Sequence, residues 1–127
     1  MSVELSYLAI YGTFTLILLV VQASLGALQH GIPAFAGNRD GLVSTGMAAR
    51  ADRALNNSVV ALALIAPAIV IVAMTDQATS GTELSVRLFL GARVVYAIVY
   101  IVGIPYVRTA AWVVGFLATA CVYCAAL

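Results

Sequence analysis

The sequence contains no lysine, a single histidine and few charged side chains of any kind. Charged residues make up 9% of its 127 residues, all basic residues except the histidine are arginine, and the formal net charge is +1. Nucleic-acid-binding surfaces need clustered positive charge, so nothing here supports nucleic acid as a partner. The lone histidine, His30, has no cysteine or carboxylate at a metal-ligand spacing. We therefore expect no metal site and an interfacial position for His30.

Cysteine is also scarce. Cys121 and Cys124 are the only two, and both lie in the last apolar run. Their C-x-x-C spacing is that of a redox motif, but the flanking sequence does not support one, and we expect two small thiols packed in a helix. The first apolar run has no basic residues before it and is too long for the apolar region of a signal peptide, so we interpret it as a membrane span.

Apolar residues dominate what is present. They make up 64% of the chain, and the mean hydropathy is +1.09. Roughly 30 Å of hydrocarbon is crossed by about 20 helical residues. Four runs approach or exceed that length: Leu5–Leu28, Ser58–Thr75, Leu88–Ile104 and Thr109–Leu127. These runs predict an all-α membrane protein, a four-transmembrane-helix bundle, in which residues 1–127 form a single integral membrane domain.

The connections between these spans predict the topology. Turn-forming residues fill Gln29–Met47, which we expect to be a loop without helix, and Asp76–Glu83 reads as a short acidic turn. By the positive-inside rule, the first and third loops lie in the cytoplasm and both termini lie outside. The loop arginines that carry this prediction are Arg39, Arg50, Arg53 and Arg108.

The third span contains a charge. Arg93, Tyr96 and Tyr100 are spaced i, i+3, i+7 and share one helical face, before Gly103 and Pro105 end the helix. A charged residue inside a span is costly and by default marks a functional site facing the bundle interior. The alternative is a structural arginine that snorkels or caps carbonyls. A second arginine, just beyond the end of this helical face, favours a functional site over a structural arginine.

That second arginine, Arg108, follows the helix end, with Trp112 one turn beyond it as in an aromatic belt. In the second span, Arg50, Arg53 and Asn57 share a face that Val60 extends, although basic residues at a membrane edge are common anchors.

None of the carboxylates falls within an apolar run. Arg93 must therefore find carbonyls, tyrosine hydroxyls, Asn57, water or an anion. Gln22 is expected to bond across helices, and Pro67 to kink or loosen its helix.

Four stretches taken together are similar to a known family. They are MSVELSYLAIY, GNRDGL, TGMAARADRALNN and GARVVYAIVYIVGIPYVRTAAW. In this order, with four spans, the chain resembles the MAPEG family, the membrane-associated proteins in eicosanoid and glutathione metabolism, and its bacterial branch in particular. The resemblance implies a homotrimer of four-helix subunits, with glutathione bound between neighbouring subunits near the cytoplasmic face. It also implies location in a bacterial inner membrane.

The resemblance assigns roles to individual residues. Arg108 matches the arginine that stabilises the glutathione thiolate, and it is the expected catalytic residue. The resemblance also implies that Arg53, Asn57, Tyr96, Tyr100 and Thr109 bind the cofactor. Arg50 and Arg93 are added to the expected cofactor-binding residues because they share the polar faces of the same helices. The chain departs from the family motif at Val60, where members have a glutamate expected to bind the amino group of glutathione.

Two functions are open on this basis. The first is a glutathione-dependent transferase or peroxidase acting on lipophilic electrophiles that arrive from the lipid. The second, favoured by Val60, is a non-catalytic membrane subunit that binds a lipid or a partner membrane protein.

Overall fold

The structure, a computed structural model, describes residues 1–127 and contains helices only. They are α1 (Val3–His30), α2 (Ile32–Ala36), α3 (Gly46–Met74), α4 (Ser80–Val102) and α5 (Pro105–Ala126). All except α2 are long and apolar enough to cross a membrane. The predicted all-α fold with four candidate spans is confirmed.

The four long helices run antiparallel in chain order, which divides the bundle into two ends. The arginine end holds the α1–α3 connection, the start of α3 and the α4–α5 junction; the terminal end holds both termini and the α3–α4 turn. Helices α3 and α4 each pack against the other three long helices, whereas α1 and α5 do not pack against each other. Helices α3 and α4 are therefore the central pair.

The junction between α4 and α5 has the geometry that the sequence predicts. Gly103 caps α4 in the left-handed region, with φ of 102°, and Pro105 begins α5. Glycine adopts that conformation without strain, and proline lacks only an N–H that the first turn does not use. This short junction brings Arg108 close to the end of α4.

Two predicted boundaries need correction. The Gln29–Met47 loop contains α2, because Pro33 is tolerated in a first helical turn. The ring of Phe35 then packs where a Cβ on Gly26 would lie, which holds α2 against α1. Helix α4 begins at Ser80, inside the predicted acidic turn, where Thr79 and Thr82 form a reciprocal capping box. Helix α3 continues through Pro67, and the kink or loosening expected there stays a prediction.

Polar side chains also connect the helices. As predicted, Gln22 bonds across helices, donating to Asp52 Oδ1 at 2.6 Å. Glu4 is 1% exposed and accepts from Thr82 Oγ1 at 2.5 Å. Together with Glu83 of α4, these carboxylates correct the expectation that none lies in a span, since the helices extend beyond the apolar runs. Both cysteines are free thiols on a helix, α5, as expected, but they are exposed on it rather than packed.

The hydrophobic core lies toward the terminal end. It comprises Tyr11, Ile65, Ala68, Ile69, Val72, Val86, Phe89, Ala118 and Val122. Many large apolar side chains point outward instead, as expected for helices that face lipid. The arginine half contributes little to this core. Of the two cavities described below, the polar one lies in the arginine half, and the apolar one extends from it toward the core.

Candidate functional site

Three arginines connect α3 and α4 at the arginine end. Arg50 Nε donates to the Ile101 carbonyl oxygen at 2.9 Å, and Arg53 Nε donates to the Tyr100 hydroxyl at 3.1 Å. In the opposite direction, Arg93 of α4 donates to Asn57 of α3. The polar face predicted for α3 therefore packs against the polar face predicted for α4.

Arg93 is buried among neutral groups. Its side chain is 2% exposed, and both of its hydrogen bonds leave from Nη2, to Asn57 Oδ1 at 2.8 Å and Ser58 Oγ at 3.4 Å. Its guanidinium carbon lies 4.2 Å from the centre of the Tyr96 ring. The Nε atom is buried and has no hydrogen-bond partner. Of the partners expected from the sequence, Asn57 is the one that is found.

Tyr100 lies between two further arginines. Arg53 donates to its hydroxyl, and the guanidinium carbon of Arg108 lies 4.5 Å from the ring centre. The Tyr96 ring meets Tyr100 edge to face, with centroids 5.5 Å apart. Arg108 is half-buried and makes neither a hydrogen bond nor an ion pair, so its N–H groups have no competing acceptor within the chain.

These groups surround an open polar cavity of about 290 Å³. It is lined by Asn57, Tyr96, Tyr100, Arg108, Thr109 and Trp112. Five of these six residues belong to the set expected from the sequence. A cation, two phenols, an amide and a hydroxyl form the polar part of the wall, and no carboxylate is among them. Such a lining suits an anion with additional hydrogen-bonding groups.

A second, mostly apolar cavity adjoins the first. It measures about 390 Å³ and runs between α3 and α5. It is lined by Asn57, Val60, Ala61, Leu64, Phe89, Arg93, Trp112, Gly115, Phe116, Thr119, Ala120 and Tyr123. Asn57 and Trp112 belong to both cavities, so the apolar groove reaches the polar one directly. At the far end, Tyr123 donates to the Leu64 carbonyl oxygen at 2.6 Å.

The remaining predicted residues lie around these cavities. Arg53 donates to the Tyr100 hydroxyl, and Arg93 lines the apolar groove. Arg50 is placed differently: it lines neither cavity, and its Nε atom is committed to the last turn of α4.

Two residues of the site are not predicted from the sequence. The sequence favours an aromatic-belt position for Trp112, although its position one turn after Arg108 also places it on the face of the site. Ser58 follows Asn57 directly, but no spacing marked it.

The described chain brings together no cluster of three metal-ligating side chains. A comparison with protein families matched the MAPEG family over residues 5–127. Comparisons with curated proteins and with solved structures found no match.

Proposed function

The chain belongs to the MAPEG family, and we propose that it is a membrane-bound, glutathione-dependent transferase or peroxidase acting on lipophilic electrophiles. Membership supports a glutathione-related role in a membrane at the level of the family. The observation that carries the finer proposal is Arg108. This arginine lines a polar cavity, is only half-buried, and has no acceptor of its own.

A free arginine at this place favours the reactive form of a thiol. The thiolate is the nucleophile, and an ordinary thiol has a pKa of about 8.5. A fixed cation beside the sulfur stabilises the thiolate by charge and by hydrogen bonding, and each pKa unit of lowering corresponds to about 1.4 kcal/mol. The thiol proton leaves to water. The sulfur electron pair then forms the new S–C bond as the leaving group departs with its own pair.

The neighbouring residues fit the rest of a small peptide thiol. Arg53 uses Nε on Tyr100, which leaves its two terminal nitrogens for a carboxylate. Asn57 can donate to a peptide oxygen from the cavity wall, and the Thr109 hydroxyl, which donates to the Pro105 carbonyl oxygen, can accept from a peptide N–H. The lipophilic co-substrate would occupy the apolar groove, which meets the polar cavity at Asn57 and Trp112.

Assembly and orientation extend the proposal. Three copies packed through their exposed apolar faces would enclose the open side of the polar cavity between subunits, as the family resemblance implies. The arginine end would face the cytoplasm of a bacterial cell, and the termini would face outward.

The decisive experiment compares Arg108→Ala and Arg108→Lys with the wild type in nanodiscs, using glutathione and chlorodinitrobenzene as substrates. Loss of the cation should lower turnover near neutral pH by about tenfold for each unit by which the thiol pKa rises. The rate should recover as pH rises and glutathione ionises unaided. Arg87→Ala is the matched control, because Arg87 is an exposed arginine paired with Glu83 outside the site. Unchanged turnover of Arg108→Ala at saturating glutathione would remove this role from Arg108.

The alternative function, a non-catalytic subunit that binds a lipid or a partner membrane protein, is favoured by one observation. Val60 and the rest of the apolar groove offer no carboxylate. Calorimetry on the folded protein separates the two functions. Absence of both glutathione binding and turnover would support the non-catalytic subunit.

A further inference from the structure

We propose that this site prefers a thiol that carries only negative charge, so that an N-acylated or amine-free thiol binds better than glutathione itself. This inference rests on the proposed function and concerns the charge of the thiol substrate. Glutathione has a free ammonium group as well as two carboxylates. The structure offers cations that suit the carboxylates and no negatively charged group for the ammonium.

No negatively charged side chain of the chain neutralises the arginines of the site. Arg53, Arg93 and Arg108 all contact the Tyr96–Tyr100 pair through a hydroxyl or a ring face. Their other hydrogen-bond partners are an amide and a serine hydroxyl, both neutral. Arg93 lines the apolar groove, Arg108 lines the polar cavity, and Arg53 lies beside them on Tyr100. None of these three positive charges is neutralised within the chain.

Every carboxylate of the chain lies elsewhere. Glu4 bonds Thr82 at the terminal end, Glu83 pairs with Arg87, and Asp76 lies in the turn after α3. Asp52 accepts from Gln22 of α1 and lines neither cavity, and Asp40 is in the exposed α2–α3 loop. An ammonium group in the site would have only neutral oxygens to bond and would be repelled by the arginines.

The orientation of Asn57 adds to this preference. Arg93 Nη2 can only donate, so the Asn57 oxygen must face it and the Asn57 NH₂ group must turn away. That NH₂ group makes no hydrogen bond within the chain, although Asn57 lines both cavities. The Asn57 NH₂ group is therefore a hydrogen-bond donor without a partner in the chain. The unpartnered Nε of Arg93 is another sign that the region lacks an acceptor. Both features suit an acyl oxygen or an anion.

Val60 is the position that sets this preference. It follows Asn57 by three residues, lines the apolar groove together with Arg93, and is 55% exposed. A glutamate there has room to extend without overpacking, and it would lie on the same helical face as Asn57. It would supply the missing acceptor for an ammonium group. Val60→Glu should therefore convert the site from amine-excluding to amine-accepting.

The test measures calorimetric affinities of the wild type in nanodiscs for glutathione and for N-acetylglutathione, which lacks the ammonium. We expect the wild type to bind N-acetylglutathione about tenfold more tightly, a difference equivalent to about 1.4 kcal/mol. Val60→Glu should reverse the preference, and Val60→Gln, which has nearly the same shape without the charge, should keep the wild-type order.

The outcomes distinguish this inference from the proposed function. Tighter binding of glutathione than of N-acetylglutathione by the wild type would overturn the charge inference alone. The wild-type comparison decides this even where Val60→Glu does not fold. Failure of the folded wild type to bind either thiol would overturn the proposed function, and this inference with it.

Discussion

The hydrogen bond between Asn57 and Arg93 should be worth more to stability than any other single polar contact at the arginine end. Arg93 is 2% exposed, so a lost acceptor cannot be replaced readily by water. The bond is 2.8 Å long and involves a charged donor, a class worth about 1.5–3 kcal/mol. The remaining acceptor, Ser58 Oγ, is 3.4 Å away. We therefore expect Asn57→Ala to lower the free energy of unfolding by about 2–3 kcal/mol, the upper part of that range.

A double-mutant cycle isolates this contact from the rest of the side chain. Unfolding would be followed by circular dichroism in mixed micelles of rising dodecyl sulfate content for Asn57→Ala, Arg93→Met and the double variant. Arg93→Met removes the buried charge while keeping an apolar side chain in the bundle. Asn57→Ala should therefore cost little in the Arg93→Met background, since no guanidinium is left without its acceptor.

The matched control is Asn56→Ala, because Asn56 is the same residue type on the same helix but is exposed. Its change should fall within about 0.5 kcal/mol of zero, as for surface positions in general. If the effects of Asn57→Ala and Arg93→Met add within about 0.5 kcal/mol, the two side chains are not coupled and the reasoning is refuted.

Three further predictions test other parts of the fold. Gly26→Ala should displace the Phe35 ring and release α2, seen as faster amide exchange at residues 32–36; unchanged exchange would contradict the packing of α2 on α1. Tyr11→Phe should lower the free energy of unfolding by about 1 kcal/mol, because it removes a buried 2.8 Å bond to the Ser58 carbonyl, whereas Tyr7→Phe should have no effect. In a cysteine-free background, Thr79→Cys should react with an impermeant maleimide from outside the cell; labelling from the cytoplasm alone would reverse the proposed topology.

Much of the architecture could be predicted because it depends on strong local signals. Long apolar runs identify membrane helices, and Gly103 followed by Pro105 marks a helix end through backbone conformation alone. Helix ends that depend on tertiary contacts are harder to predict from the sequence. Glu4 is buried only because Thr82, 78 residues away, supplies a donor. Helix α2 is held by the packing of Phe35 on Gly26, which periodicity does not show.

The sequence predicts which helical faces form the candidate site but not which side chains contact each other. Helical spacing placed Arg53 with Asn57, and Arg93 with Tyr100, on the faces that the structure brings together. Which atoms pair depends on the rotation and crossing of α3 and α4. The contact of Arg50 could not be predicted, because its acceptor is the backbone carbonyl of Ile101. Every residue has such a carbonyl, so no residue type in the sequence marks it. The predicted role of Arg50 in binding the cofactor stays a prediction.

The neutrality of the groups around Arg93 also affects the chemistry proposed for Arg108. A carboxylate beside Arg93 would form a buried ion pair and cancel its charge, whereas Asn57, Ser58 and the Tyr96 ring stabilise the charge without cancelling it. In a low-dielectric bundle, an uncancelled charge acts over longer distances than it does in water. The Tyr96 and Tyr100 rings, in edge-to-face contact, separate Arg93 from Arg108. An anion in the polar cavity is therefore attracted by both arginines, and the thiolate stabilisation proposed for Arg108 includes a contribution from Arg93.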